Sequence, residues 1–308
     1  MIAFSTNWNA GRQRDGAKLI EEILELGFDT IELGHGLNVS QLQGIREFHA
    51  QGNQKFQILS VHNFCPMPVE ISTDSPDCYE FSSYRLADRS RAVRLTQQTM
   101  ATAAEFGAPF VVLHLGRMTP LAGMTDALLT ALREKGVASR AYARLKLDAV
   151  CKRENAARIY LERVTALLEP LVEEAERRGL TLCIENRSDF EAIPTERELL
   201  TLLKKFNTPH LRYWHDFGHA QMRENLGLLD HAQWLEEIAP YTVGAHLQDA
   251  AWPDKDHLIP FEGEIPFDRL VPILPSSMSY ILELSSRATP SAICAAANRW
   301  KSTFHTNS

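Results

Sequence analysis

Acidic and imidazole side chains stand at the ends of six short apolar runs in this chain of 308 residues. The six residues are His62, His114, Glu185, Asp216, His246 and Glu283. If the runs are parallel strands, their carboxyl ends meet at one edge, so these side chains converge. Buried carboxylates that lie close together repel one another unless a cation neutralises them. The pattern therefore predicts a buried site for a divalent metal ion.

Eight apolar runs in all alternate with stretches of helical periodicity. The predicted strands are residues 2–6, 30–33, 58–62, 110–114, 181–185, 211–215, 242–247 and 280–283. They are continuous rather than alternating, which is typical of strands buried on both faces of a parallel sheet. Helical spacing of apolar residues covers residues 18–26, 86–106, 147–171, 195–206 and 231–238. The chain is therefore predicted to be an α/β protein.

Eight strands that alternate with helices form either an open sheet or a closed barrel. No GxGxxG motif follows the first strand, so a dinucleotide-binding sheet has no support. The uninterrupted alternation, without a linker, predicts one (β/α)8 TIM barrel over residues 1–308. The segment between the fourth and fifth strands is longer than one helix needs. We therefore expect residues 117–146 to be an insertion that forms a lid over the C-terminal mouth.

Composition restricts the class of protein. A hydrophobic fraction of 44% with 23% charged residues is that of a globular protein. A net charge of −7 argues against general affinity for nucleic acid. The five cysteines are scattered and form no CxxC pair, which favours a reducing cytoplasm. We also expect no signal peptide, no membrane span and a cytoplasmic location.

Several motifs, taken in order, resemble those of the xylose-isomerase-like barrel superfamily, which includes sugar isomerases, sugar epimerases and apurinic-site endonucleases. The short motifs are V-H-N-F at 61–64, I-E-N at 184–186, D-F-G-H at 216–219, H-L-Q-D at 246–249 and L-E at 282–283. Two longer stretches, at 89–116 and 257–267, also match. The resemblance covers nearly the whole chain.

The resemblance implies a role for each matching residue. It assigns one divalent ion to Glu185, Asp216, His246 and Glu283, and proton transfer on the substrate to Glu185 and Glu283. Three carboxylates and one imidazole suit Mn²⁺, Mg²⁺, Co²⁺ or Zn²⁺.

The endonuclease branch binds further metal ions, and residues matching those ligands are also present. His62 and His114, with His219 as a further candidate, leave a second ion open. His219 and His257 match the histidines of a third site, but Lys255 replaces its aspartate and works against a third ion.

The remaining candidates concern substrate contacts. His219 and His257 are candidates to bind substrate hydroxyl groups, and Trp8, Phe64 and Trp252 are candidate apolar walls against a sugar. We expect His35 either to line the pocket or to lie outside it. We expect His215 to point away from the lumen and to serve packing. His49, His210, His231 and His305 are expected to be solvated.

Three functions remain open on the sequence. The favoured one is a metal-dependent isomerase or epimerase acting on a small carbohydrate, with a lyase or dehydratase of an oxidised sugar as a close variant. The second is cleavage of abasic DNA, and the acidic net charge and Lys255 argue against it. The third is a barrel that binds metal or a partner without catalysis. By resemblance, the protein could form a homodimer or homotetramer.

Overall fold

Eight parallel strands close into a barrel in the spatial order β1-β10-β7-β6-β5-β4-β3-β2. The barrel strands are β1 Ile2–Ser5, β2 Thr30–Leu33, β3 Gln57–His62, β4 Phe110–Leu113, β5 Thr181–Glu185, β6 Leu211–Asp216, β7 Thr242–Leu247 and β10 Ser279–Leu282. Phe4 closes the ring, because it pairs with Leu282 on one side and with Ile31 on the other. The computed structural model describes residues 1–52, 55–72 and 75–304. The predicted (β/α)8 barrel is confirmed.

Helices cover the outside of the barrel. They are α1 Gly16–Glu25, α2 Val39–Gln51, α3 Leu86–Phe106, α4 Met124–Lys135, α5 Arg140–Arg178, α6 Glu196–Phe206, α7 Phe217–Asn225, α8 His231–Ile238, α9 Phe267–Leu270 and α10 Pro290–Phe304. Among the described residues, no helix is both long enough and apolar enough to cross a membrane.

Capping residues fix where the long helices begin and end. Helix α3 has the predicted bounds and ends at Gly107, whose φ of 68° suits glycine. Helix α5 also ends at a left-handed glycine, Gly179, but it begins earlier than the apolar stripe suggests. The Ser139 side chain accepts a hydrogen bond from the backbone N–H of Tyr142 and so starts the helix. The insertion at 117–146 therefore consists largely of α4 and the first turns of α5.

Sequence periodicity did not predict a small hairpin beyond β7. Strands β8 (Asp249–Ala251) and β9 (Lys255–Leu258) pair antiparallel outside the barrel. They have three and four residues, which is too short to show a repeat. This hairpin carries Trp252, Lys255 and His257.

A compact apolar cluster fills the barrel lumen. It comprises Ala3, Val112, Cys183, Trp214 and Ile281, all fully buried. Trp214 is the largest of them, and its ring lies against the imidazole of His246, with 5.6 Å between ring centroids. A Cβ at Gly244 would lie 2.2 Å from the Trp214 ring, so this neighbour must be glycine. The lumen thus forms a packed support for the residues at its mouth.

Candidate metal centre

Four side chains predicted as metal ligands come together at the mouth of the barrel. Glu185 ends β5, Asp216 ends β6, His246 lies in β7, and Glu283 directly follows β10. Each offers one ligand atom, and these atoms all lie within 4.8 Å of one another. All four residues are buried. We call these residues the four-residue group.

Glu32 determines which ring nitrogen of His246 faces this group. The Glu32 carboxylate oxygens lie 3.1 Å from His246 Nε2, and Ser60 Oγ donates a hydrogen bond to Glu32 Oε2 at 2.7 Å. Because a carboxylate only accepts hydrogen bonds, Nε2 is a donor to Glu32, and Nδ1 is the nitrogen directed toward the group. A carboxylate behind a ligating histidine is a common feature of metal sites. Sequence analysis missed Glu32, which stands one residue before the end of its strand.

The Nδ1 atom of His246 lies among three carboxylates. It is 3.1 Å from Glu283 Oε2, 3.3 Å from Glu185 Oε1 and 3.9 Å from Asp216 Oδ2. It is buried and makes no hydrogen bond among the described residues. Burial would lower the pKa of His246, but the carboxylates of Glu283, Glu32 and Glu185 raise it well above its usual value, so this position favours a cation, either a proton or a metal ion. The donor set therefore fits a divalent metal ion held by the four-residue group.

The two glutamates of the group have pKa values below the usual range for a glutamate. Burial alone would raise the pKa of Glu283, but His246 and other neighbouring histidines lower it to about 2. Burial likewise opposes ionisation of Glu185, yet His246 and His114 hold its pKa well below the usual range. Burial raises the pKa of Asp216. Glu185 and Glu283 are thus the group's two carboxylates with lowered pKa values.

Side-chain amides hydrogen-bond to two carboxylates of the four-residue group. Asn7 Nδ2 donates to Glu283 Oε1 at 2.6 Å, and Gln248 Nε2 donates to Asp216 Oδ2 at 2.7 Å. Asn7 approaches so closely that a Cβ at Gly34 would lie 1.9 Å from its side chain. Sequence analysis missed both amides, because uncharged residues gave no signal of a metal site.

Asn186 connects His219 to the same group. His219 Nδ1 donates to the backbone oxygen of Asn186 at 3.0 Å, so Nε2 is the ring nitrogen not used in this hydrogen bond. The Asn186 side chain is itself fixed, since its Oδ1 accepts from the Asp216 N–H at 2.7 Å and from the Tyr213 hydroxyl at 2.8 Å. The Asn186 Nδ2 donates to the backbone oxygen of Asp216 at 2.9 Å.

A buried polar chain extends from Tyr213 to helix α8. The Tyr213 hydroxyl lies 2.9 Å from His215 Nδ1, and His215 Nε2 lies 3.0 Å from His231 Nε2. Burial lowers the pKa of His215 well below its usual range and that of His231 to about 3, so both rings are neutral at pH 7. His215 points away from the lumen, as predicted. The prediction that His231 is solvated is wrong, because this first residue of α8 is buried, with 1% exposure.

A second cluster lies on the other side of Glu185. His62 Nε2 is 3.1 Å and His114 Nε2 is 3.0 Å from Glu185 Oε2. We call His62, His114 and Glu185 the histidine group. The ring of His35 lies beside that of His62, with 5.0 Å between centroids. His219 is not part of this group, since its Nδ1 is 3.3 Å from the opposite oxygen, Glu185 Oε1.

The residues expected for a third metal site are dispersed. Lys255 is exposed, Asp254 pairs with Arg133, and His257 Nδ1 lies 3.1 Å from Asp256. Among the described residues, the clusters with metal-binding geometry include neither His219 nor His257. The rings of these two histidines nevertheless lie edge to face, with 6.1 Å between centroids.

The predicted aromatic walls lie in different environments. Trp8 and Phe64 are buried in the hydrophobic core, and Trp8 Nε1 donates to the backbone oxygen of Ala288 at 2.9 Å. Trp252 is 50% exposed on the hairpin. Of the three, Trp252 is thus the ring open to solvent.

The insertion is tied to two neighbouring loops. The backbone N–H of Thr125 donates to Glu191 Oε1 at 3.0 Å in the loop after β5. Arg133 forms an ion pair with Asp254 on the hairpin. These contacts hold α4 beside the segments that follow β5 and β7, and its role as a lid stays a prediction.

Comparisons with known proteins agree with this architecture. A D-tagatose 3-epimerase-like protein superposes with a TM-score of 0.72 and 18% identity, covering 99% of this chain and 97% of that one. A 3-keto-D-glucoside 4-epimerase from E. coli gives 0.66 and 15% identity, with 98% of each chain covered. A D-psicose 3-epimerase from Clostridium cellulolyticum, solved with D-tagatose, gives 0.65 and 14%, covering 98% and 99%. At these identities the likeness establishes the fold.

Sequence comparisons identify the family. No curated protein sequence is significantly similar to this chain. The model of one family, the xylose isomerase-like TIM barrels, matches residues 20–300. That match spans all but the ends of the chain, and it agrees with the closed barrel and with the acidic cluster at its mouth. The chain belongs to the xylose isomerase-like TIM barrel family.

Proposed function

We propose that this protein is a divalent-metal-dependent sugar isomerase or epimerase in which Glu185 and Glu283 transfer the substrate proton. The observation that carries the proposal is the position of these two glutamates. Their carboxylates flank His246 Nδ1, at 3.3 Å for Glu185 Oε1 and 3.1 Å for Glu283 Oε2. They come from strands on different sides of the barrel, so they can approach a bound carbon from two directions.

The four-residue group would hold the ion. When bound, a divalent ion supplies Lewis acidity that makes a C–H bond beside a chelated carbonyl easier to ionise. The protein's own residues then move the proton. One glutamate accepts it from the substrate carbon, and the same or the opposite glutamate returns it. His246 and the neighbouring histidines keep the pKa of Glu283 low, so this carboxylate is ionised, which is the form that accepts a proton.

Asn7 and His219 orient the reacting groups. Asn7 holds Oε1 of Glu283 with a 2.6 Å hydrogen bond, which fixes the direction of the carboxylate. His219 Nε2, which is not the nitrogen bonded to Asn186, can form a hydrogen bond with a substrate hydroxyl group. Together these contacts position both the proton acceptor and the sugar before reaction.

The fold neighbours support a carbohydrate as the substrate class. They are named as epimerases of D-psicose and of a 3-keto-D-glucoside, and as a D-tagatose 3-epimerase-like protein. A lyase acting on an oxidised sugar would use the same proton abstraction, followed by loss of a neighbouring hydroxyl group. The product therefore distinguishes the isomerase or epimerase from the lyase.

Solvent isotope exchange tests the proton transfer. Ketoses such as D-tagatose, D-psicose and D-fructose, and a 3-keto-glucoside, are incubated with the metal-loaded protein in D₂O. Nuclear magnetic resonance then follows deuterium at the carbon beside the carbonyl. We expect exchange with at least one of these sugars, and we expect Glu185→Gln and Glu283→Gln to reduce it at least about 100-fold, since general acid–base catalysis contributes about 10²–10⁴-fold.

A matched control shows whether the effect on exchange comes from losing a carboxylate in the site or from losing any carboxylate. Glu262 is exposed on the loop after β9, and Glu262→Gln should exchange at the wild-type rate. Full exchange in either of the two site variants would refute proton transfer by these glutamates.

A further inference from the structure

The histidine group has the donors for a second metal ion. His62 Nδ1 lies 3.0 Å from the backbone oxygen of Asn63, so this nitrogen donates and Nε2 faces Glu185. The Nε2 atoms of His62 and His114 approach the same oxygen, Glu185 Oε2, at 3.1 and 3.0 Å. Two imidazoles and a carboxylate suit Zn²⁺ or Co²⁺. What occupies this position therefore decides how many ions the mouth holds.

The guanidinium group of Arg187 lies beside the histidine group. Arg187 Nη1 is 3.1 Å from His114 Nε2, and its Nη2 donates to Asp77 Oδ2 at 3.2 Å. The other oxygen of Asp77 is 3.1 Å from His114 Nδ1. Asp77, His114 and Arg187 thus form a closed ring of polar contacts at the edge of the histidine group.

This ring and Glu185 together engage both nitrogens of His114. Asp77 can only accept a hydrogen bond, so His114 Nδ1 is a donor. The Nε2 atom has two partners: it can accept a hydrogen bond from Arg187 Nη1 at 3.1 Å, or carry an N–H that donates to Glu185 Oε2 at 3.0 Å. In both arrangements Nε2 has no lone pair left to ligate a metal ion.

The positive charge of Arg187 also disfavours a second metal ion. The side chain is only 19% exposed, and so is that of Asp77, which limits screening by water. A fixed positive charge beside His114 repels a second divalent ion and offsets the negative charge of Glu185 on its Oε2 side. Glu185 Oε1 remains directed toward His246 and His219, at 3.3 Å from each.

We propose that Arg187, anchored by Asp77, takes the place of a second metal ion in the histidine group, so that the protein binds one divalent ion. Arg187 is then the residue that sets the metal count in a mouth whose donors could accept two ions. This inference rests on the metal site of the proposed function.

Titration with Co²⁺ tests the proposal without reference to activity. Metal-free protein is titrated while visible absorption is recorded, and bound metal is counted by elemental analysis after gel filtration. The wild-type protein should saturate at one ion per chain. Arg187→Gln removes the charge and leaves His114 Nε2 available, so it should saturate at two. The double variant Arg187→Gln/His114→Ala should return to one.

Two further variants serve as controls. Arg187→Lys keeps a positive charge and should stay at one ion. Arg117, which is half-exposed and pairs with Glu80, is another arginine near the mouth, and Arg117→Gln should also stay at one ion. Circular dichroism on the same samples verifies folding, and Arg187→Met provides a second neutral replacement.

The outcomes separate this inference from the proposed function. Two ions in the wild-type protein, or one ion in both neutral Arg187 variants when folded, would overturn the role of Arg187 and leave the four-residue site intact. No bound ion in the wild-type protein would overturn the proposed function and this inference together. Because the wild-type count alone has a definite expectation, failure of a variant to fold does not remove the test.

Discussion

His246 presents one free ring nitrogen to the four-residue group because Glu32 engages the other. Both residues are fully buried, and Ser60 holds Glu32 from behind. This relay fixes the tautomer and the ring orientation before any ion binds. We therefore expect the affinity of the proposed metal site to depend on a carboxylate outside the four-residue group.

We expect Glu32→Gln to weaken metal binding about 10–100-fold, the usual effect of losing a carboxylate behind a ligating histidine. The substitution keeps the shape of the side chain but removes its charge and allows the amide to turn. Competition with a chelator measures the dissociation constant. Ser60→Ala, which leaves the carboxylate in place, should have a smaller effect. Unchanged affinity in Glu32→Gln would contradict the relay.

The sequence pattern identified the members of the four-residue group, but not the residues that orient them. Glu185, Asp216, His246 and Glu283 stand at the ends of apolar runs, where a charged residue is conspicuous. Glu32 sits between two apolar residues of a four-residue strand, where a side chain facing the lumen cannot be told from one facing out. Asn7, Asn186 and Gln248 are uncharged. Asp77 lies in a long loop that no periodicity positions.

Strand β6 illustrates how one element serves two faces. Trp214 and Asp216 face the lumen and the site, whereas Tyr213 and His215 point outward to α8. The period of two along a strand produces this division. Asn186 connects the outward residues to the site, because its side chain accepts hydrogen bonds from both Tyr213 and Asp216. Helix α8 is thereby linked to the mouth by a continuous hydrogen-bond chain.

We expect His231→Ala to cost about 1–3 kcal/mol of unfolding free energy, because it leaves the buried Nε2 of His215 without a donor. Urea denaturation measures the change. Glu236 lies exposed on the same helix, and Glu236→Ala should stay within about 0.5 kcal/mol of the wild-type value. Equal stability of the two variants would show that the chain from His231 to Tyr213 contributes little.

Element bounds were predictable wherever a single local rule dominates. The apolar runs gave the eight barrel strands to within one or two residues at each end, and Gly107 and Gly179 marked two helix ends. The hairpin of β8 and β9 was not predicted, because its strands are too short to show a repeating pattern of apolar residues. The start of α5 was not predicted because its first turns carry only two buried positions, Tyr142 and Ala149, among charged residues, and because the cap at Ser139 is a single side chain.

For the whole molecule, the barrel brings residues that are far apart in sequence to one end. Asn7 and Glu283 are 276 positions apart and form a 2.6 Å hydrogen bond. Closure also concentrates acidic groups, since Glu32, Glu185, Asp216 and Glu283 are all buried near the mouth. The formal charge of −7 thus includes carboxylates that a bound cation would neutralise. A bound ion should stabilise the folded chain as well as serve the reaction.

Elemental analysis combined with turnover on one sample tests the central claim most directly. The protein is purified without chelator, its divalent metal content is counted, and isotope exchange on the responsive sugar is measured before and after metal removal. We expect one divalent ion per chain, loss of exchange when the ion is removed and recovery when it is returned. A metal-free protein that catalyses exchange at the full rate would contradict the account.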